Sequence, residues 1–303
     1  MHHIFRNILY SISFLGLFPL LTSCQTLAPE RPLTLPRADA GIRFLLTFDD
    51  GPAASTTPCP TVSVLDSLRS NAVQRNVKAI FFVQTREPKH GGAEAGKALM
   101  KREHAEGHVL ALHSGSVRGH INHTLMAPEE LQQSLTDGMD DIARITGSLP
   151  LFVRPTFWRY NAKTLGRYEN NGLYMVLSDI KAYDGSGGFF QFSNVLSSQR
   201  HGSMLSELQR VRGRIGRGEL PVVNGVIPVI VTFHDTNSHT AQHIAEYMQI
   251  LVEEARRAGL RVNDKPYYDS AEEIRTAALD RAEHRVILET RLPARLARFF
   301  KGT

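Results

Sequence analysis

An apolar run at residues 42–48 predicts a buried strand. The run stops at two adjacent carboxylates, Asp49 and Asp50, and the pair Gly51 and Pro52 then indicates a turn. Two like charges this close repel each other unless a cation lies between them or one of them is protonated. The stretch therefore points to a metal site beside a proton-accepting carboxylate, placed at the end of a buried strand.

Apolar stretches alternate with helical patterns along the rest of the chain. Strands are predicted over residues 42–48, 77–84, 108–113, 151–156, 173–178 and 226–234. Helices are predicted over residues 61–70, 93–106, 128–146, 162–170, 203–214 and 240–258. This alternation predicts an α/β fold, with a parallel sheet covered by helices. Sites in such folds form at the carboxyl ends of the strands.

Further polar residues follow other predicted strands at these ends. His113 and Ser114 end the strand at 108–113, Arg154 ends an apolar pair, and His234 ends the strand at 226–234. A histidine titrates near neutral pH and suits proton transfer or metal binding. Two other histidines, His108 and His123, are predicted to be loop or surface residues.

The string Thr-Phe-Asp-Asp-Gly-Pro at residues 47–52 resembles the first motif of the polysaccharide deacetylase family, the NodB-homology domain of carbohydrate esterase family four. His113-Ser114, residues 152–158 and residues 229–236 resemble its second, third and fifth motifs. Residues 176–185 resemble the fourth motif only weakly, because both of its tryptophans are missing here. The resemblance covers about residues 41–260 and implies a distorted, incomplete (β/α) barrel.

The resemblance also implies roles for the residues at the strand ends. Asp49 is then the catalytic base, His234 the general acid, and Arg154 the side chain that holds Asp49. Asp50 is then a metal ligand, together with two histidines named next. The ion is divalent, with zinc as the first choice and cobalt or manganese as alternatives.

The second motif of the family places two histidines on the metal, and this sequence departs from its spacing. His113 matches the first, but the residue four positions later is Val117. Counting back from the predicted helix at 128–146 selects His120 as the second ligand and implies a three-residue insertion. His123 is the alternative.

The third and fourth motifs imply supporting roles. The backbone N–H near Phe157 then completes an oxyanion site, and Trp158 either stacks on a sugar ring or packs as a half-buried core residue. Asp184 is then the acid that orients His234, with Asp179 as the alternative. The missing tryptophans leave the usual acetyl pocket of the family undefined here.

These roles together imply a metal-dependent hydrolase that removes acetyl groups from an N-acetylated sugar polymer of the envelope or the extracellular space. An O-acetyl esterase with the same site is one alternative. A carbohydrate-binding protein that has lost activity is another, suggested by the irregular second and fourth motifs. A serine esterase is disfavoured, because the sequence has no Gly-x-Ser-x-Gly elbow.

The first residues predict export. Arg6 precedes an apolar segment at residues 8–21, which has the length of a signal peptide. The following Leu-Thr-Ser-Cys, ending at Cys24, resembles the lipobox of bacterial lipoproteins. It implies cleavage before Cys24 and acylation of that residue, so that the lipid bilayer is a partner. Gln25 in the next position implies the outer membrane, facing the periplasm.

The predicted organisation is a signal peptide at 1–23, a proline-containing tether at 24–40, the deacetylase-like domain at 41–262 and a C-terminal helical extension at 263–303. The role of the extension is not apparent from its sequence. The net charge of +5 is small for 303 residues and favours solvated helix faces over a polyanion-binding surface, so no nucleic acid partner is predicted. Protein partners are left open.

Overall fold

The strands of the chain pair into one parallel sheet. The computed structural model describes residues 40–181 and 197–291, which belong to one unit, residues 34–303. Within the described residues the sheet has eight strands. They are β1 Gly41–Asp49, β2 Ala79–Gln84, β3 Val109–Ser114, β4 Phe152–Val153, β5 Tyr174–Met175, β6 Ile180–Lys181, β7 Val226–His234 and β8 Val262–Tyr267.

Helices connect the strands, as crossovers between parallel strands require. In the described part of the chain they are α1 Pro60–Arg69, α2 Glu94–Ala105, α3 Pro128–Thr146, α4 Ala162–Asn170, α5 Ser197–Gly216, α6 Ser238–Arg257 and α7 Ala271–Arg291. Proline opens α1 and α3, where its missing N–H has no helical partner to lose. Two short 3₁₀ turns, His123–Leu125 and Thr156–Trp158, precede α3 and α4.

Strand β1 lies in the middle of the sheet, whose order is β5-β4-β3-β2-β1-β7-β6. β7 pairs with β1 along its whole length and places His234 opposite Asp49. On the other side of β1, β8 pairs with the first half and β2 with the second half. The sheet curves into a half-barrel surrounded by helices, and this confirms the predicted incomplete (β/α) barrel. All carboxyl ends of the strands therefore meet at one rim.

Alternating side chains along the strands build two cores. Phe44, Phe81 and Val231 face outward and are buried with apolar side chains of helices α1 to α6. The inward-facing residues form a second cluster with α7, and its strand members include Leu45, Ile80, Phe82, Ala111, Phe152 and Ile230. The inner face below the rim is therefore mainly apolar.

Helix α7 contributes the other half of the inner core. Its members there are Ile274, Ala277, Ala278 and Ala282, each at most 5% exposed. Arg43 of β1 ties the start of this helix to the barrel, because its guanidinium donates to Glu273 at 2.9 Å and to the Tyr267 carbonyl at 2.8 Å. The segment that was predicted only as an extension thus closes the half-barrel from inside.

Every predicted strand and helix has a counterpart in the structure. β4 and β5 are shorter than predicted, at two residues each, and α5 is longer. Two strands were not predicted. β6 is only two residues long, and β8 reads Val-Asn-Asp-Lys-Pro-Tyr, a largely polar string that pairs with β1. The predicted boundary at residue 262 falls on the first residue of β8.

The predicted signal peptide, the lipidation site Cys24 and all but the last residue of the tether lie outside the described residues, and so does Asp184. The division of the chain into these segments stays a prediction. Among the described helices, none has the length and apolar content needed to cross a bilayer.

Candidate active site

The two adjacent carboxylates lie at the rim of the half-barrel and face different surroundings. Asp49 is the last residue of β1, is 2% exposed and points inward, two residues beyond Thr47. Asp50 follows with a positive φ of 71°, a conformation that is strained for a residue with a side chain. This backbone bend turns the Asp50 carboxylate toward the histidines, while Asp49 stays in the strand.

Gln84, at the end of β2, holds this bend. Its side-chain amide donates to the Asp50 carbonyl at 2.9 Å, and its backbone N–H donates to the Gly51 carbonyl at 2.9 Å. The sequence analysis predicted this strand but no functional residue in it. The residue has no motif of its own, so nothing in the sequence distinguishes it from other strand-end residues.

Arg154 fixes Asp49 from below. One guanidinium nitrogen, Nη1, donates to Asp49 Oδ1 at 2.7 Å and to Thr47 Oγ1 at 2.7 Å, while Nε donates to the Val176 carbonyl at 3.0 Å. Both Arg154 and Asp49 are almost fully buried. A buried charge pair with hydrogen bonds on both members has one favoured geometry, so Asp49 is held in a defined orientation.

His113 presents one ring nitrogen to Asp50. Its other nitrogen, Nδ1, lies 2.9 Å from the Arg154 carbonyl oxygen, which only accepts, so Nδ1 carries the hydrogen. In the neutral ring, Nε2 is then a lone-pair nitrogen, and it lies 3.2 Å from Asp50 Oδ1. Fixing the tautomer through the remote nitrogen is how proteins orient metal-binding histidines.

His120 approaches Asp50 from the segment between β3 and α3. Its Nε2 lies 3.5 Å from Asp50 Oδ1, and its ring stacks between those of His113 and Phe157, with centroid distances of 5.2 and 4.2 Å. Burial, the largest influence, lowers the pKa of His120, so the ring is neutral and able to bind a metal. Thr156 donates from its hydroxyl to the Ile121 carbonyl and ties this segment to the end of β4.

A glycine sets the path of the same segment. Gly115 lies so close to α3 that a Cβ atom at this position would be 2.1 Å from the Ser134 carbonyl oxygen and 2.5 Å from the Gly138 nitrogen. Only residues without a side chain fit on both sides of this contact. The predicted insertion after His113 is therefore packed against α3, and the two histidines come together across it.

The three side chains fit a metal ion. One ligand atom from each of Asp50, His113 and His120 lies within 4.8 Å of the others. Ligands at about 2.0–2.1 Å in a tetrahedron lie roughly 3.3 Å apart, close to the 3.2 and 3.5 Å between Asp50 Oδ1 and the two nitrogens. Asp50 Oδ1 is buried without a hydrogen-bond donor among the described residues. Two acceptors that face each other in this way are compatible with a cation between them.

The charge state of Asp50 agrees with a ligand role. Burial is the largest influence and acts to raise the pKa of Asp50, but the neighbouring histidines, His113 foremost, outweigh it and lower this pKa. The carboxylate is therefore ionised at neutral pH, as metal binding requires.

The structure corrects the prediction that His108 and His123 are loop or surface residues, since both are almost fully buried. His108 Nδ1 accepts from the Ala79 N–H at 3.2 Å, and His123 Nδ1 lies 2.6 Å from the Tyr168 hydroxyl. Burial lowers the pKa of each to about 3, so both are neutral. His123 is thus engaged with Tyr168 and is not part of the group around Asp50.

This arrangement predicts that only one of the two candidate second histidines binds metal. We expect His120→Ala to weaken zinc binding by about 100-fold or more, since even changes to residues behind metal ligands cost 10–100-fold. We expect His123→Asn, whose amide replaces Nδ1 toward Tyr168, to leave zinc affinity within about threefold. Competition with a chromophoric chelator measures both. Equal losses in the two variants would contradict the geometry, as would a loss in His123→Asn alone.

Phe157 and Trp158 follow the Arg154 motif in strained conformations, with φ of 57° and 60°. The Trp158 and Arg159 N–H groups donate to the carbonyls of Pro155 and Thr156, while the Phe157 N–H has no acceptor among the described residues. The Phe157 ring is 52% exposed. Trp158 is half-buried, and the centroid of its ring lies 5.0 Å from the guanidinium carbon of Arg154.

His234 and Asp235 end β7 and diverge. His234 Nε2 lies 3.9 Å from Asp50 Oδ2, so its ring faces the same space as the metal-binding group. Asp235 points away and is fully buried, accepting from the Thr61 hydroxyl at 2.6 Å. Burial, above all other influences, raises the pKa of Asp235 to about 7. His234 is thus the member of the pair that can contact a substrate.

Asp179, the alternative partner for His234, is committed elsewhere. Its carboxylate accepts from the Ile230 N–H at 2.8 Å and from Arg214 at 2.7 Å, and it also pairs with Arg281. Ile230 precedes His234 by four residues, roughly 13 Å along a strand. Asp179 therefore lies too deep to orient His234. Asp184 lies outside the described residues, and its role stays a prediction.

Lys181 is a charged residue at the rim that sequence reasoning did not single out. It ends β6, and its ammonium lies 4.6 Å from the centroid of the Trp158 ring. Its neighbours in sequence belong to the weakest of the five motifs, so the pattern gave no reason to examine it.

Comparison with known proteins finds a family model that matches the first part of the described chain. Residues 38–176 match the family model described as polysaccharide deacetylase. This stretch of the chain is therefore similar to a polysaccharide deacetylase domain. The match ends before β7 and does not cover His234. The place of His234 at the rim comes from the structure, in which its Nε2 lies 3.9 Å from Asp50 Oδ2.

The curated relatives agree with this family. Peptidoglycan-N-acetylglucosamine deacetylase PgdA of Listeria monocytogenes is 33% identical over 150 residues, which are 50% of this chain and 28% of that protein. Chitin deacetylase of Pestalotiopsis sp is 29% identical over 141 residues, 46% of this chain and 43% of that protein. The chain thus spans less than half the length of these relatives.

A solved structure shows the same fold. The chitin deacetylase of Colletotrichum lindemuthianum superposes with a TM-score of 0.52 at 21% identity, covering 74% of this chain and 85% of that one. The half-barrel described above is therefore also the fold of that chitin deacetylase.

Proposed function

We propose that this protein is a metal-dependent deacetylase that hydrolyses N-acetyl groups on a cell-wall polysaccharide. The observation that carries the proposal is the convergence on Asp50 of His113, His120 and His234, with ring nitrogens 3.2, 3.5 and 3.9 Å from its carboxylate oxygens. Asp49 lies beside this group on the same rim. A proton acceptor, a proton donor and a metal-binding set thus face one space.

Each side chain has a task in the proposed hydrolysis. A divalent ion held by Asp50, His113 and His120 would supply Lewis-acid chemistry when bound. Asp49, fixed by Arg154, accepts the proton of the attacking water. The Phe157 N–H donates to the acetyl oxygen as negative charge develops on it. His234 donates a proton to the leaving nitrogen, and acetate departs.

Zinc is the proposed ion, because two histidines and one carboxylate leave a position open for water, as catalytic zinc sites do. Cobalt and manganese are the alternatives. The N-acetylated substrate is supported by the relatives, whose names give peptidoglycan N-acetylglucosamine and chitin. Which polymer this chain acts on is part of the proposal.

We also infer that the protein is anchored by lipid at the outer membrane, facing the periplasm. The support is sequence alone: an apolar segment at residues 8–21, followed by Leu-Thr-Ser-Cys ending at Cys24 and then Gln25. Mass spectrometry of the mature N-terminus tests this. An unmodified Cys24, or cleavage at another residue, would contradict it.

Acetate release by the purified full-length chain tests the proposed function. The protein is stripped with a chelator, reloaded with zinc, cobalt or manganese, and given N-acetylglucosamine oligomers, peptidoglycan and an O-acetylated xylan. We expect no release from the stripped protein, recovery after reloading, and release from the N-acetylated substrates.

The other outcomes separate the alternatives. Release from the acetyl ester alone would make the protein an O-acetyl esterase with the same site. Release that persists after metal removal would contradict the mechanism. No release from any substrate, with zinc demonstrably bound, would overturn the proposal in favour of a carbohydrate-binding protein.

A further inference from the structure

Lys181 lies on the inner face of the half-barrel, on the edge strand β6. β6 pairs with β7 in parallel, and Lys181 lies opposite Thr232. Thr232 points inward, since its hydroxyl lies 2.9 Å from that of Thr47. His234 follows two residues later on the same face of β7. The register therefore places Lys181 on the inner face, next to the strand that carries His234.

Among the described residues, the Lys181 ammonium has an aromatic neighbour and no paired carboxylate. It lies 4.6 Å from the Trp158 centroid, and the Arg154 guanidinium carbon lies 5.0 Å from the same ring. Among the described residues, no carboxylate is within ion-pairing distance of Lys181, whereas Arg154 pairs with Asp49 at 2.7 Å. Burial is the largest influence on the pKa of Lys181 and lowers it; Arg154 also lowers it, and Glu207 opposes them.

The charge balance of the rim points to an anionic ligand. Among the described residues of the rim, the two carboxylates Asp49 and Asp50 stand beside two cationic side chains, Arg154 and Lys181. A divalent ion bound by Asp50 would leave two positive charges uncompensated. A half-buried cation attracts an anion that contacts it more strongly than an exposed cation does, because salt and solvent screen the pair less.

We propose that Lys181 binds a carboxylate carried by the substrate, so that the site prefers an acidic N-acetylated sugar to a neutral one. The inference rests on the proposed function for its substrate class. The carboxylate has two chemical sources: an ether-linked acid on the acetylated sugar, or a uronate in the neighbouring sugar. The Trp158 ring, which lies close to both Lys181 and Arg154, supplies an apolar surface at this place.

Trp158 makes binding measurable apart from catalysis. It is the only tryptophan of the chain and contacts Lys181, so its fluorescence reports ligand at this position. The zinc-loaded full-length protein is titrated with N-acetylmuramic acid, which carries the ether-linked acid, and with its methyl ester, which has the same body without the charge. Hyaluronan oligomers test the uronate, with chitin oligomers as the neutral counterpart.

Two variants isolate the charge. Lys181→Met removes the ammonium and keeps a stem of similar length, and Lys163→Met does the same at an exposed lysine on α4. We expect the acid to bind about 10-fold or more tighter than its ester in the unchanged protein and in Lys163→Met, and this preference to vanish in Lys181→Met. Raising the salt concentration is expected to weaken binding of the acid only.

Several results would overturn the inference. One is equal affinity for acid and ester in the unchanged protein; another is no fluorescence change with any acid. Equal losses for acid and ester in Lys181→Met would also overturn it, since Lys181 would then only support Trp158 or pair with a residue such as Asp184. Failure of the proposed function looks different: the acid preference is present, but no acetate is released from any substrate.

Discussion

Replacing Asp49 by asparagine is expected to lower kcat/KM for acetate release by about 10³-fold, with zinc affinity unchanged. Asparagine has the shape of aspartate and still accepts the Arg154 hydrogen bond, which measures 2.7 Å in the native chain. Its amide does not take a proton from water at neutral pH, so the variant loses general-base catalysis alone. Steady-state acetate assays, with metal analysis of the same sample, measure both quantities.

Asp50→Asn is the matched control for this variant. This substitution removes the carboxylate charge that lies next to His113 and His120. It should therefore lower zinc affinity, and the variant should lose activity because it loses the ion. Excess zinc should restore part of the activity of Asp50→Asn and none of that of Asp49→Asn. Activity of Asp49→Asn within about tenfold of the native protein would place the base elsewhere.

The substitution Ile274→Asp is expected to lower the free energy of unfolding by at least about 4 kcal/mol. Ile274 is 0% exposed and belongs to the inner apolar cluster that also contains Leu45, Ile80 and Ile230. The change removes a full aliphatic side chain and puts a charge in a place without a partner. Since domains of this kind are stable by only about 5–15 kcal/mol, much of the native state would be lost.

Thr276→Asp provides the comparison, because this residue lies on the same helix and is exposed. It adds the same charge to α7 with little loss of packing, and should change the stability by about 0.5 kcal/mol or less. Urea unfolding followed by circular dichroism gives both values. If the two variants unfold at the same urea concentration, then α7 does not contribute to the core in the way described.

The prediction of the fold from sequence succeeded where a strand or helix carries its own pattern. β1 and β7 are nearly continuous apolar runs because both faces of these strands are buried, and this pattern is unmistakable. β8 escaped prediction because its string is polar, and pairing with β1 rather than burial makes it a strand. The packing of α7 escaped as well, because alanines form its buried face and give little contrast to the exposed one.

The sequence predicted which residues lie together at the strand ends, but it did not predict positions that depend on a partner far along the chain. The positions of Asp49, Asp50, His113 and His234 follow from strand ends that share one rim. His123 is buried against Tyr168, which is 45 residues away, and no local sequence pattern predicts that contact. The length of the insertion after His113 could be predicted only by counting back from the start of the next helix. Its path depends on the close approach of Gly115 to α3.

The pairing of β1 with β7 also determines when the site can exist. Asp49 and His234 lie opposite each other in the sheet but 185 residues apart in the chain. Native contacts of such long range must wait for loop closure, which makes folding slow. While the chain is being synthesised, the segment with Asp49 and Asp50 emerges long before the strand that brings His234. A partly made chain therefore lacks the proposed proton donor, and the candidate site is assembled only after nearly the whole barrel sequence has been synthesised.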